Sequence, residues 1–124
     1  MLCYALERYE KGDVCAQESL RLIKEDLSDA VATCVDAAQY EHDASTVESL
    51  LNAAVFGRHF LPEQAEPKPF VETCRNLRIC IELRKAPIDI PLTVPQLERV
   101  GMAGILMRLA QRRRHLLAVR ICEW

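Results

Sequence analysis

The residues able to do chemistry are few and scattered along the 124 positions. His42, His59 and His115 stand far apart. None has a histidine or cysteine at i+3 or i+4, the spacing that would set two metal ligands on one helical face. Cys3, Cys15, Cys34, Cys74, Cys80 and Cys122 contain no C-x-x-C pair and no spacing typical of a zinc site. Glu41-His42-Asp43 is acidic and polar, but it falls where one helix ends and the next begins, so a capping and turn role is expected. Glu25 and Asp26 are neighbours in sequence and point to different helix faces, whereas general acid–base catalysis needs convergent groups in a dry pocket. No G-x-S-x-G, phosphate-cradling glycine loop, H-E-x-x-H or dinucleotide fingerprint is present. No catalytic residue, metal ligand set or cofactor is nominated, and the chain is expected not to be an enzyme.

The sharpest local feature is cationic. Arg112-Arg113-Arg114 is flanked by Arg108 and Arg120, and Arg108 and Arg112 would share a face if one helix ran through both. Near an anionic membrane each basic residue contributes roughly 1 kcal/mol. Arg108, Arg112, Arg113 and Arg114 are therefore the candidate contacts for a phosphoinositide or other anionic surface, or for a partner. The competing and favoured expectation is a polar corner between helices, where cations complement the C-terminal end of the preceding helix. Nucleic acid is disfavoured, because no aromatic residues interleave with the arginines and the overall pI is acidic.

Elements that could position these residues follow the helical period almost throughout. Half of the residues are hydrophobic, enough for a core burying roughly two-thirds of the unfolded surface. The spacing predicts helices over Leu2 to about Tyr9, ending before Gly12, and over about Val14 to Lys24, with Cys15, Leu20 and Ile23 inward. A third is predicted over Leu27 to Tyr40, with Val31, Cys34, Val35 and Ala38 on a small-sided stripe. Ser45 and Glu48 form an S-x-x-E capping box for the fourth, whose apolar face carries Val47, Leu50, Leu51, Ala54 and Val55 before Phe60 and Leu61 close it. Pro62 to Pro69 reads as an inter-helix loop. A fifth helix is predicted over Pro69 to Arg84, with Phe70, Cys74, Leu77 and Ile81 inward. Ala86 to Leu92 reads as extended loop. Thr93 and Gln96 form a second capping box, Gly101 marks a bend or close packing, and two further helices are split near the arginine run.

The expectation is an all-α fold, an α-solenoid segment of six to eight helices in stacked antiparallel hairpins, with 1–124 as a single segment of a larger protein. Charge divides sharply along it. Residues 1–66 hold 5 Lys/Arg against 13 Asp/Glu, giving −8, and residues 67–124 hold 11 against 5, giving +6. No signal-peptide pattern opens the chain, because Glu7, Arg8, Glu10 and Lys11 interrupt any apolar run. No stretch approaches the roughly 20 apolar residues of a membrane span. With dispersed cysteines this points to a reducing compartment, the cytosol.

Three stretches carry a family resemblance. Leu50-Leu51-Asn52-Ala53-Ala54-Val55-Phe56-Gly57-Arg58-His59-Phe60 is similar to a characteristic segment of the vacuolar protein sorting-associated protein 16 family. So are Phe70-Val71-Glu72-Thr73-Cys74-Arg75-Asn76-Leu77-Arg78, ahead of Ile90-Pro91-Leu92-Thr93, and the final Leu117-Ala118-Val119-Arg120-Ile121-Cys122-Glu123-Trp124. Order and spacing resemble the family from about residue 20 onward. Ile79 to Asp89 and Val94-Pro95 depart from its pattern.

The resemblance implies an N-terminal β-propeller followed by a long α-solenoid, in a subunit of the tethering complexes HOPS and CORVET. These link endosomal, lysosomal or vacuolar membranes before fusion. It implies an architectural role, other tethering-complex subunits as partners, and peripheral membrane association through the complex. It also implies a Sec1/Munc18-type subunit held by a more C-terminal region, so no partner-binding residue is carried over. Coat and clathrin-type solenoids are the nearest alternative, and an anionic-lipid-binding helical module is the alternative of another class. Helical pattern at both ends predicts weak self-association, through Leu2, Tyr4, Ala5 and Tyr9 at one end and Leu117, Ile121 and Trp124 at the other.

Overall fold

The computed structural model describes residues 1–61 and 67–124, without the side chains of 16, 17, 19, 20 and 67. Among them are eight helices and no strand: α1 (Leu2–Glu10), α2 (Cys15–Leu22), α3 (Leu27–Tyr40), α4 (Ala44–Arg58), α5 (Pro67–Arg84), α6 (Val94–Val100), α7 (Met102–Gln111) and α8 (His115–Glu123). The expected 62–66 part of the loop and the inward placement of Leu20 lie outside the described residues.

Helix ends follow local chemistry. α1 stops because Gly12 takes a left-handed φ of 70°, letting its own N–H reach Tyr9 O and the Asp13 N–H reach Arg8 O. The Arg8 guanidinium then grips the Asp13 carboxylate, whose other oxygen accepts the Cys15 N–H and opens α2. Asp43, not Ser45, caps α4: its Oδ2 accepts the Thr46 N–H at 2.8 Å and the Ser45 hydroxyl at 2.6 Å. A carboxylate one residue before the helix outcompetes the hydroxyl of a residue already inside it. At α6 the expected box forms, with Gln96 Oε1 accepting the Thr93 N–H at 3.0 Å. Gly101 (φ 75°) has no atom within 4 Å of where a Cβ would sit, so it serves the bend between α6 and α7 and not close packing.

The α3–α4 hairpin is the centre of the molecule, with α1 against α4 and both α5 and α6 against α3. Its far half joins Leu2, Ala5, Leu27, Val31, Ala53, Ala54 and Phe56 in one apolar cluster, with Phe70 at the edge. Its near half gives Ala38 and Val47 to a second cluster built on Leu77, Leu83, Ile105, Leu109 and Ile121. Each large side chain fully buried there contributes roughly 1.5–3 kcal/mol. Arg58 stacks over the Phe70 ring, 4.5 Å from its centroid, and ties the end of α4 to α5.

Several expectations of burial are overturned. Val55 and Phe60 are exposed, while Ala53, Phe56 and Gly57 are buried, because α4 packs against α1 as well as α3 and turns its buried face accordingly. Cys15 is exposed, and Cys34 and Cys74 are only half-buried. Cys80 is the buried cysteine, and burial pushes its thiol up to about 11. The expected sticky ends are closed in part: Leu2 and Ala5 are buried against α4 and Ile121 in the second cluster. Tyr4 and Tyr9 are exposed as expected, and so are Leu116 and Val119, which the sequence did not single out.

Candidate functional site

Charged groups in the C-terminal half divide into those that hold the fold and those that do not. Arg84, at the end of α5, donates from Nε and Nη2 to Leu92 O at 3.1 and 2.7 Å, and from Nη1 to His42 O at 3.0 Å. One guanidinium thus joins α5, the loop before α6 and the α3–α4 turn. Only its planar fork of donors allows this. Sequence reading missed it, because nothing in the residue order signals a contact 42 positions away. Arg78 stacks over Trp124, 4.3 Å from the ring centroid, and Lys85 pairs with Glu82.

The arginine run forms the turn between α7 and α8. α7 ends at Gln111, but the Arg112 N–H still bonds Arg108 O at 3.1 Å, so the two arginines lie one turn apart at the end of the helix. Arg112 caps α7, Arg113 takes a left-handed φ of 57°, and the N–H groups of Arg113 and Arg114 return to Ala110 O and Leu109 O. This is the same closing pattern as at Gly12, with arginine in the position that normally takes glycine. The Arg112 guanidinium reaches Ile88 O at 2.8 Å and pins the loop after α5 to this turn.

What remains converges. Arg113, Arg114, His115 and Arg120 line a cavity of about 310 Å³ between the turn, α8 and the end of α5. Glu82 is the one carboxylate on its wall, and Lys85 already holds it. Among the described residues no carboxylate pairs with Arg113, Arg114 or Arg120. Of the four sequence candidates, then, Arg113 and Arg114 stand together with the flanking Arg120 and with His115, which the sequence did not link to them. Arg112 is spent on the backbone, and Arg108 is not on the cavity wall.

The remaining chemistry is structural. Glu41 Oε1 accepts the His42 and Asp43 N–H groups, which keeps its carboxyl below the usual range, so the Glu41-His42-Asp43 stretch works as a turn. No group of His, Cys, Asp and Glu suited to a metal ion occurs among the described residues. No described helix is long and apolar enough to cross a membrane. A second groove, about 330 Å³, lies between α3 and α5 over Val31, Val35 and Phe70.

Comparison with known proteins extends the resemblance to the whole chain. The family model described as the Vps16 N-terminal region matches residues 1–72, which include the first twenty. The chain is 43% identical over 109 residues to the vacuolar protein sorting-associated protein 16 homolog of Dictyostelium discoideum, covering 88% of this chain and 13% of that protein. It is 37% identical over all 124 residues to Protein VACUOLELESS1 of Arabidopsis thaliana, covering 14% of it. Over 119 residues it is 30% identical to the vacuolar protein sorting-associated protein 16 homolog of Drosophila melanogaster, again covering 14%. The chain thus spans about one-seventh of the length of the relatives it matches.

Proposed function

The chain belongs to the Vps16 family, and from that premise we propose that residues 1–124 are one α-solenoid segment that works as architecture in a membrane-tethering complex. The observation that carries this reading is the α3–α4 hairpin serving two successive apolar clusters. A hairpin that packs on both neighbours is the repeating arrangement of stacked-helix rods, in which stiffness comes from each unit burying its faces against the next. The printed names of the relatives support vacuolar protein sorting as the setting. The proposed partners are the other subunits of HOPS and CORVET, with the Sec1/Munc18-type subunit on a more C-terminal region. The proposed location is the cytoplasmic face of late endosomes, lysosomes or vacuoles. No catalytic step and no cofactor belong to this role.

Ile105→Asp in the full-length protein tests the proposal. An unpaired charge in the second cluster costs several kcal/mol, comparable with the stability of a whole domain. Co-purification of the other tethering subunits is expected to fail, and vacuolar cargo to be missorted. Normal assembly and sorting with this segment unfolded would overturn the architectural reading.

A further inference from the structure

Two of the six cysteines border the same apolar cluster, one on each of two helices that meet there. We propose that Cys3 and Cys34 form a peroxide-operated thiol switch, reduced in the resting protein and converted by hydrogen peroxide to a disulfide that staples α1 to α3.

The pairing rests on packing inside the chain. Cys3 on α1 and Cys34 on α3 are both half-buried against the cluster of Leu2, Val31, Ala54 and Phe56. Leu2 and Val31 crowd one point, since a Cβ on Gly57 would stand 2.9 Å from Leu2 Cδ2 and 2.6 Å from Val31 Cγ2. Cys3 follows Leu2 directly, and Cys34 stands three positions after Val31, on the same face of α3. The two thiols meet as a result: Cys3 is a hydrogen-bond partner of Cys34 and a charge acting on it. The other inward cysteines have different company. Cys74 has Arg58 as its charged neighbour, and Cys80 has Arg84 and Glu98.

This arrangement sets an order of events. Burial, and after it the charge and hydrogen bond of Cys3, push the Cys34 thiol up and keep its proton on. First oxidation therefore falls on Cys3, whose sulfur, as thiolate, attacks one oxygen of the peroxide. The O–O bond breaks, the departing hydroxide is protonated to water, and Cys3 becomes a sulfenic acid, oxidised by two electrons. The Cys34 sulfur then attacks the Cys3 sulfur. An S–S bond forms, the S–O bond breaks, and the hydroxide leaves with the Cys34 proton as a second water. Two thiols and one hydrogen peroxide give one disulfide and two waters. Cytosolic pairs of this kind are regulatory, because dithiol reductants of the thioredoxin class return them to the thiol form.

The bridge closes a loop from residue 3 to residue 34 that contains all of α2. It restricts the unfolded chain and fixes the first helical pair on the α3–α4 hairpin. The chemistry stands whether or not the chain works in a tethering complex.

Peptide mapping of the full-length protein tests the switch. The protein is treated with a small excess of hydrogen peroxide, blocked with N-ethylmaleimide and digested with trypsin without reductant. Mass spectrometry is expected to find the peptide ending at Arg8 joined to the one running from Glu25 to Arg58, and dithiothreitol should separate them. Cys34→Ser removes the second thiol, so Cys3 should take up the sulfenic-acid trap dimedone about fivefold more than in the parent. Amide exchange across Leu2–Glu10 should slow about tenfold on oxidation of the parent and stay unchanged in Cys34→Ser. Serine is close to cysteine in size, and the linked peptide of the parent decides the pairing without any variant.

Three results would overturn the proposal. One is peroxide joining Cys3 to Cys15, or to another copy of the protein, in place of Cys34. A second is dimedone labelling of Cys3 in Cys34→Ser no greater than that of the exposed Cys122. The third is a Cys3–Cys34 bridge that leaves exchange in α1 unaltered, since a bond without effect on the helix is no switch. None of these touches the assembly test of the architectural reading, so the two fall separately.

Discussion

At the scale of single residues, Asp43 concentrates the most chemistry. One oxygen, Oδ2, accepts the Thr46 N–H, the Thr46 hydroxyl at 2.8 Å and the Ser45 hydroxyl. Those donors favour the charged form and hold the carboxyl down to about 2. Since the folded pKa lies below the ordinary carboxylate value of 3.8, the stability it contributes is fully present above roughly pH 4. It is lost as the pH falls toward about 2. Helix content followed by circular dichroism is expected to fall over that window in the parent chain. In Asp43→Ala the acid-dependent component should shrink, at the cost of a melting temperature lower by a few degrees at neutral pH. An unchanged acid profile would mean the carboxylate does not anchor α4.

Between elements, α4 comes close to both α1 and α3 at Gly57. A Cβ there would stand 2.6 Å from Val31 Cγ2 and 2.9 Å from Leu2 Cδ2, so α4 can lie against α1 and α3 only without a side chain at this point. Gly57→Ala gains about 1 kcal/mol of helix propensity but forces overpacking that costs about 1–3 kcal/mol. The expected result is a net loss of up to about 2 kcal/mol in urea unfolding. Combining it with Val31→Ala should be less damaging than the sum of the two, since the smaller residue makes room. Strict additivity would mean the two positions do not share a contact.

Arg84 acts at the same scale by a different force. Arg84→Ala removes three hydrogen bonds from a charged donor to carbonyls in two separate loops, a loss of about 2–3 kcal/mol. Arg84→Lys is expected to recover little, because an ammonium cannot reproduce the fork. Full recovery of the melting temperature by lysine would show that charge alone matters there.

These contacts explain where the residue order was informative. The bounds of α3 were legible because its small-residue stripe ends at the Glu41–Asp43 turn, and the opening of α6 because Thr93 and Gln96 cap each other. Periodicity gives a helix a face but not the number of neighbours that face must meet. That is why Val55 and Phe60 were expected inside and the burial of Ala53 and Gly57 was not anticipated. The arginine cluster was visible as charge. Its division into Arg112 holding a carbonyl and Arg113 and Arg114 lining a cavity depends on one left-handed residue, and arginine carries no signal for that conformation.

Across the whole molecule, charge separation outweighs the formal net of −2, with −8 on residues 1–66 and +6 on residues 67–124. Of the apolar end residues expected to drive self-association, Leu2, Ala5 and Ile121 are buried and only Tyr4 and Tyr9 are exposed. Weak association of the isolated chain is therefore expected to be electrostatic, acidic half to basic half. Static light scattering should show net attraction at low ionic strength that fades near physiological salt, where the screening length is about 8 Å. Attraction that strengthens with salt would restore the apolar explanation.

The shared hairpin also has a consequence for the order in which a ribosome releases this chain. Among the described residues, the cluster containing Leu2, Val31, Ala54 and Phe56 has every buried member once Phe56 has emerged, whereas the cluster containing Ala38 and Val47 waits for Ile121. Domains synthesised N-terminus first can compact in sequence as their residues become available. During that interval the near half of α3–α4 would be folded but uncovered, with Val47, Leu50 and Leu51 facing water. Nascent chains stalled with residues up to Phe70 outside the exit tunnel are expected to resist brief proteolysis across α1–α4. They should also bind a chaperone that chains released through Trp124 no longer hold. Uniform protease sensitivity until Ile121 is out would mean the two clusters form together.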